Sequence, residues 1–128
     1  MNFKKICFSF TSYSEALEIL KICKKNKITP ILFIKYYQIN GLGIDWLNEL
    51  RALILQKFKK NDHKIYVDSD RNYGLFISLV EKKIDFIKVK ANEDMYIKLK
   101  QVAKINKVLI NPSFSVVDLT KLKNKLKK

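Results

Sequence analysis

The chain is poor in the residues that build metal centres, disulfide frameworks and sharp turns. It has two cysteines, one histidine, two prolines and three glycines in 128 residues. Two cysteines and one histidine make no zinc framework. Cys7 falls on an expected strand and Cys23 on an expected helix, each among apolar neighbours, so both read as buried free thiols of a reducing compartment. No stretch approaches the roughly 18 consecutive apolar residues of a membrane-spanning helix. The N-terminus has lysines but no apolar run of signal-peptide length, and the cytoplasm is the expected location. A third glycine and a Walker lysine are both missing around Gly41-Leu42-Gly43, so that turn carries no nucleotide fingerprint and no cofactor is expected.

Acidic residues are also scarce, 12 against 26 lysines and arginines, for a formal charge of +14. The arginines are Arg51 and Arg71; every other cation is lysine. Isoleucine, asparagine, phenylalanine and tyrosine are plentiful too, the signature of A- and T-rich codons. A dedicated reader of phosphates or bases favours the bidentate fork of arginine. The charge therefore reads first as a solvated, codon-biased surface and second as a polyanion-binding one. An even spread of lysines would favour the first reading and a cluster on one face the second.

What is present is a β/α alternation. Nearly half the residues are hydrophobic, 48%, enough for the core of one domain. Residues 63–90, HKIYVDSDRNYGLFISLVEKKIDFIKVK, read as strand, helix, strand. Lys64-Ile65-Tyr66-Val67 is β-branched and aromatic and ends at acids, with Asp70 the expected helix N-cap. Tyr73, Phe76, Ile77, Val80 and Ile84 recur at helical spacing, with Gly74 allowing a close helix–strand approach. Asp85 turns the chain into a strand over 86–89. A return of this length joins parallel strands by a right-handed crossover.

The flanking chain repeats the unit. Residues 5–10 form a first strand, and Ser12 with Glu15 has capping-box spacing before the stripe Tyr13, Ala16, Leu17, Leu20, Cys23. Residues 29–36 form a second strand, 38–43 a loop and 45–59 a second helix. Asn92 caps a helix with Glu93 and Asp94 in its first turn, 108–110 form a fifth strand, and 114–117 extend it or make an edge piece. The expected class is α/β: one layered domain, residues 1–118, with a mostly parallel five-stranded sheet flanked by helices, either open and doubly wound or half-barrel-like. Residues 119–128, KLKNKLKK at their core, form a basic helix or tail. A half-barrel would leave an apolar sheet edge and dimerise.

Ligands of parallel sheets bind at the carboxyl ends of the strands. That rule nominates Ser9, Asp68, Ser69, Asp70 and Asn111 as ligand-binding residues. Asp68 could serve a ligand hydroxyl or act as a base, although Asp68 as a turn cap and Asp70 as a helix cap explain both carboxylates. Lys35 and Lys88 are the strand lysines to which a Schiff-base mechanism would fall, with a snorkelling lysine as the plainer account. His63 starts a strand at the opposite end and has no nucleophile to serve.

Two resemblances bear on these residues. VDSDRNYGLFISLVEKKIDFIKV resembles a β-α-β segment of sugar-phosphate aldolases and related barrel enzymes. The whole chain is similar to small uncharacterised bacterial α/β proteins, with an aspartate-x-x-aspartate-like turn at this place, related to half of such a (β/α)8 barrel. In size and alternation it also resembles the receiver domain of response regulators. That likeness would make Asp68 the phosphoacceptor and put Asn111-Pro112-Ser113-Phe114 near the receiver's lysine-proline pair. The first strand, however, ends Phe8-Ser9-Phe10-Thr11 without the acid pair, and Asn111 stands for the lysine, so a working phosphoreceiver is set aside.

The reading that follows is a small, non-catalytic α/β domain that takes a protein partner or a phosphorylated small molecule at the rim. A lyase or aldolase using a strand lysine and a lysine-rich nucleic-acid-binding module are the alternatives.

Overall fold

The structure, a computed structural model, describes residues 3–119. The expected basic tail lies outside them from residue 120 onward. Six parallel strands form one sheet: β1 (Lys4–Ser9), β2 (Ile28–Ile34), β3 (Lys64–Asp68), β4 (Phe86–Lys88), β5 (Leu109–Ile110) and β6 (Val116–Val117). The helices are α1 (Tyr13–Lys25), α2 (Tyr36–Leu55), α3 (Tyr73–Glu81) and α4 (Glu93–Ile105). This is the expected α/β class with a parallel sheet.

Strand order runs β5-β4-β3-β2-β1-β6. From β1 to β5 each strand adds beside the last, with no reversal. Crossovers of one hand that always advance in one direction put every helix on the same side. Side chains bear this out. Phe8, Leu32, Ile34, Ile65, Val67 and Ile87 join the buried residues of all four helices in one large core. The alternate residues Cys7, Ile31, Phe33 and Tyr66 form a second, small cluster with Phe86 and Phe114. A doubly wound sheet needs helices on both faces, so that arrangement is not the one adopted. A receiver-like order of 2-1-3-4-5 is excluded with it.

The helix-free face is closed by the chain itself. Residues 111–115 leave β5 at one edge of the sheet and reach β6, which pairs with β1 at the other through Cys7–Val116 and Phe8–Val117. Of the two expectations for 114–117, an extension of β5 or an edge piece, the second holds: residues 111–115 strap across the sheet and β6 is its edge strand on the far side. Phe114 lies across it, ring centroids 5.2 Å from Phe86 and 6.1 Å from Tyr66, both edge-on.

Local differences from the expected pattern have local causes. Ser12 Oγ accepts from the Glu15 N–H, but Glu15 turns its carboxylate to Thr11 Oγ1, so only half the capping box forms. The expected loop over 38–43 is helical. Gln38 carries it: its Oε1 accepts from Lys35 N–H and its Nε2 donates to Phe10 O, each at 2.9 Å, tying the start of α2 to the end of β1. The break comes at Gly43, where φ is 86° and a side chain would be strained. The N-cap of α3 is Asn72, which accepts from Leu75 N–H; Asp70 sits earlier, in the left-handed region at φ 49°. Gly74 is not required for packing, because a Cβ there would meet only Asn72 Oδ1 at 3.6 Å. Ile77 faces outward, 37% exposed, while Leu79 takes the buried place. Pro30 is tolerated inside β2 because pairing with β3 begins only at Ile31.

Candidate functional site

The carboxyl ends of β3, β4 and β5 and the strap enclose a cleft of about 480 Å³. Tyr66, Lys88 and Val89 line one side and Asn111 to Ser115 the other. β3 and β4 set the geometry. Tyr66 pairs in register with Phe86, and Asp68 with Lys88, so alternation puts Lys88 on the helix-free face with the aromatic cluster. Burial pushes the Tyr66 phenol up to about 12, with the Cys7 and Asp68 charges adding to it, which keeps the ring a neutral donor. Burial likewise pushes Cys7 and Cys23 to about 12, so neither thiol is a ready nucleophile.

The two aspartates of the rim are each engaged by neighbouring groups, Asp68 by the backbone and Asp70 by a lysine. Asp68 Oδ1 accepts from the Asp70 N–H at 2.8 Å, a turn cap as foreseen. Asp70 faces Lys90, with Nζ 3.6 Å from Oδ1, in an exposed pair worth about 0–1 kcal/mol. Ser69 is fully buried, and its N–H and its hydroxyl both donate to Lys88 O at 2.8 Å. Its chemistry is spent holding β3 to β4. Ser9 is half-buried beside Phe33 in the register. It ends a strand some way along the sheet from the cleft. Lys35 is exposed and stands 6.0 Å from the Tyr37 ring centroid. Lys88 is exposed as well, and of these two lysines it is the one that lines the cleft.

Asn111 does something the sequence did not announce. Its amide copies a strand residue: Oδ1 accepts from Val89 N–H at 2.8 Å and Nδ2 donates to Val89 O at 3.0 Å. Its own N–H donates to Ile87 O at 2.9 Å, and its φ is 49°. Asparagine tolerates that conformation better than other side chains. The residue extends the β4–β5 ladder and turns the chain into the strap. Gln38, Asn72 and Tyr66 were likewise missed as organisers of the rim. For Asn111, Gln38 and Asn72 the signal that was available was a polar amide just after, or just before, an apolar run; Tyr66, inside its strand, gave none.

No protein-family model matches this chain, and no curated protein is significantly similar to it. The site is therefore read from its own geometry. Among the described residues no three His, Cys, Asp or Glu side chains gather as a metal site, and no helix is long and apolar enough to cross a membrane.

A second, smaller cavity of about 190 Å³ lies at the other end of the sheet, lined by Arg51, Lys60, His63, Lys83 and Asp85 among others. His63 is buried, and its Nδ1 has no hydrogen-bond partner. Burial lowers its pKa, outweighing the Lys59 carbonyl and the nearby Asp85 and Asp62 carboxylates that favour the charged form; Arg51 adds to the lowering. The unfolded chain, with histidine near 6.5, then binds a proton that the native chain refuses. Stability should be full above about pH 6.5 and fall as the pH drops from there toward the folded value. Urea midpoints between pH 7.5 and 5 check this. His63→Gln should flatten the curve, because this is the chain's one histidine. An unchanged slope in the variant would assign the loss to carboxylates instead.

Proposed function

We propose that this domain binds a small phosphorylated ligand in the cleft between β4 and the strap, without turning it over. The observation that supports this most is the lining of the cleft: an exposed lysine, Lys88, lines it together with Ser113 and Ser115, around a space of about 480 Å³ at the carboxyl ends of the strands. One ammonium and two hydroxyls suit a phosphate, and Tyr66 and Pro112 offer an apolar wall for the group that carries it. The sequential strand order, which a (β/α)8 barrel also uses, agrees with kinship to half of such a barrel, where the same rim binds substrates. Compared with the sequence-based expectation, the ligand moves one strand over, from the Asp68-Ser69-Asp70 turn to Lys88.

Calorimetry with a set of sugar phosphates and inorganic phosphate, at low and moderate salt, tests the reading. Binding of one phosphorylated compound should persist in moderate salt, and Lys88→Met should weaken it by about tenfold, the order of one charge-assisted contact. If no compound binds, or if Lys88→Met leaves the affinity intact, the cleft is not a phosphate site. Lys88 and Lys35 are exposed rather than the buried lysines of a Schiff-base site. Borohydride trapping of a carbonyl compound on Lys88, or turnover abolished by Asp68→Asn, would transfer the site to a lyase or aldolase.

A further inference from the structure

In a parallel α/β layer every helix runs back against the strands. Strand starts and helix C-termini therefore share one end of the molecule, and the rim cleft lies at the other. Cations outnumber acids at the first of these ends, although Lys35, Arg71, Lys88 and Lys90 stand at the second and Asp62, Glu81 and Asp85 at the first. Lys4 opens β1, Lys25 ends α1, Lys57 and Lys60 follow α2, Lys83 follows α3 and Lys107 follows α4. Asp68, Asp70, Glu93 and Asp94 stand at the opposite end. A charge set by codon usage alone has no reason to divide this way. Complementing the helix dipoles accounts for Lys24 and Lys25 of α1 and Lys104 of α4, but not for the rest, because α2 and α3 have no basic residue in their last turns and their lysines come beyond the helix.

We propose that this amino-terminal end of the sheet binds the phosphate backbone of single-stranded nucleic acid, probed with RNA. Lysine supplies point charges that follow a backbone without reading bases, which fits the near absence of arginine. Phe3, 43% exposed, lines a small depression with Lys24, Thr29 and Asn61 at the same end. An exposed ring among cations stacks on an unpaired base, whereas a duplex hides its base faces. The depression sets the apolar Leu20, Ile28 and Phe58 beside the polar Thr29, Asn61 and Asp62, a mixed lining that suits the flat face and polar edge of a base better than the acyl chains of a membrane. This surface is separate from the rim cleft and does not depend on the ligand proposed there.

The test is fluorescence anisotropy of the full chain with a labelled oligouridine across a salt series. Binding should weaken steeply with salt, by a log–log slope of about 0.7 per neutralised phosphate. Replacing Lys25, Lys57 and Lys60 together by glutamine should weaken binding at low salt by about tenfold or more and lower the slope by roughly 2, one increment for each lysine. Removing the same charge from helix bodies at Lys21, Lys98 and Lys100 should cost less than threefold. Phe3→Ala should weaken binding with the slope unchanged. The inference is overturned if oligouridine does not bind at low salt, or if the two triple variants lose affinity equally, which would make net charge the cause. It is overturned too if phosphatidylserine vesicles, and not RNA, bind in a manner that the first triple variant abolishes. Unchanged thermal midpoints confirm that the variants remain folded.

Discussion

Asn111→Ala should destabilise the domain by about 3 kcal/mol. Two effects add. The buried Val89 loses partners for both its N–H and its C=O, and a stranded buried backbone group costs about 1–3 kcal/mol. Alanine must also hold a φ of 49°, a left-handed conformation that costs roughly 1–2 kcal/mol and that asparagine bears more easily. Nearby water at the rim recovers part of the first term, which keeps the total near the lower end of the sum. Asn111→Gly separates the two effects, since it removes the hydrogen bonds and relieves the backbone; it should recover about 1 kcal/mol of the loss. Urea denaturation of both variants is the measurement. A loss below about 1 kcal/mol for alanine would mean that the amide is replaceable by water. Because Asn111 also starts the strap, ligand affinity at Lys88 should fall with it.

The second large effect is expected at Phe114. This ring is the main apolar cover of the helix-free face, contacting Tyr66 and Phe86 edge-on. Phe→Ala in a full core costs about 3–5 kcal/mol; Phe114 is half-buried, so Phe114→Ala should cost about 2–3. Phe114→Leu keeps much of the burial and loses the aromatic geometry, so it should cost about 1 kcal/mol. The distinctive readout is Tyr66. With the ring uncovered, water reaches the phenol, and its pKa should drop from about 12 toward the ordinary 10. Absorbance titration, with Tyr66→Phe subtracted to isolate one tyrosine among six, follows that change. Exposed apolar surface on Cys7, Ile31 and Phe33 should also raise dye binding. If Phe114→Ala left the Tyr66 titration unmoved, the strap would not be what keeps this face dry.

The two variants probe the same feature from opposite ends. Asn111 anchors the strap at the β5 edge, and Phe114 seats it on the sheet. The cleft exists because the strap stands away from Lys88 while its ring remains down on Tyr66 and Phe86. A ligand there would rest against a segment held by Asn111 at one end, by the Phe114 ring on the sheet and by β6 at the other end, so ligand binding and strap stability should be linked.

Much of the fold was legible because it depends on periodicity and on caps next to the elements they start. The five strands of the β/α alternation were placed within a few residues, Ser12 and Asn92 were read as caps, and Asp68 was read as a turn cap. The helix over residues 36–42 was misread because Asn40, Gly41 and Gly43 carry turn composition, whereas Gln38 makes its decisive bond to Phe10, 28 residues away. Asp70 looked like the cap of α3 because it precedes the apolar stripe; it is instead a left-handed turn residue whose carboxylate faces Lys90, and Asn72, next to the first helical residue, caps the helix.

By itself the sequence determined the α/β class, the parallel direction of the strands and the buried thiols, since each follows from hydrophobic period, connection length or neighbouring residues. Only the tertiary structure decided that all helices share one face and that residues 111–115 cross the other. These depend on the order in which strands pair. Pairing order is chosen by contacts between distant residues, and the local sequence records no trace of it.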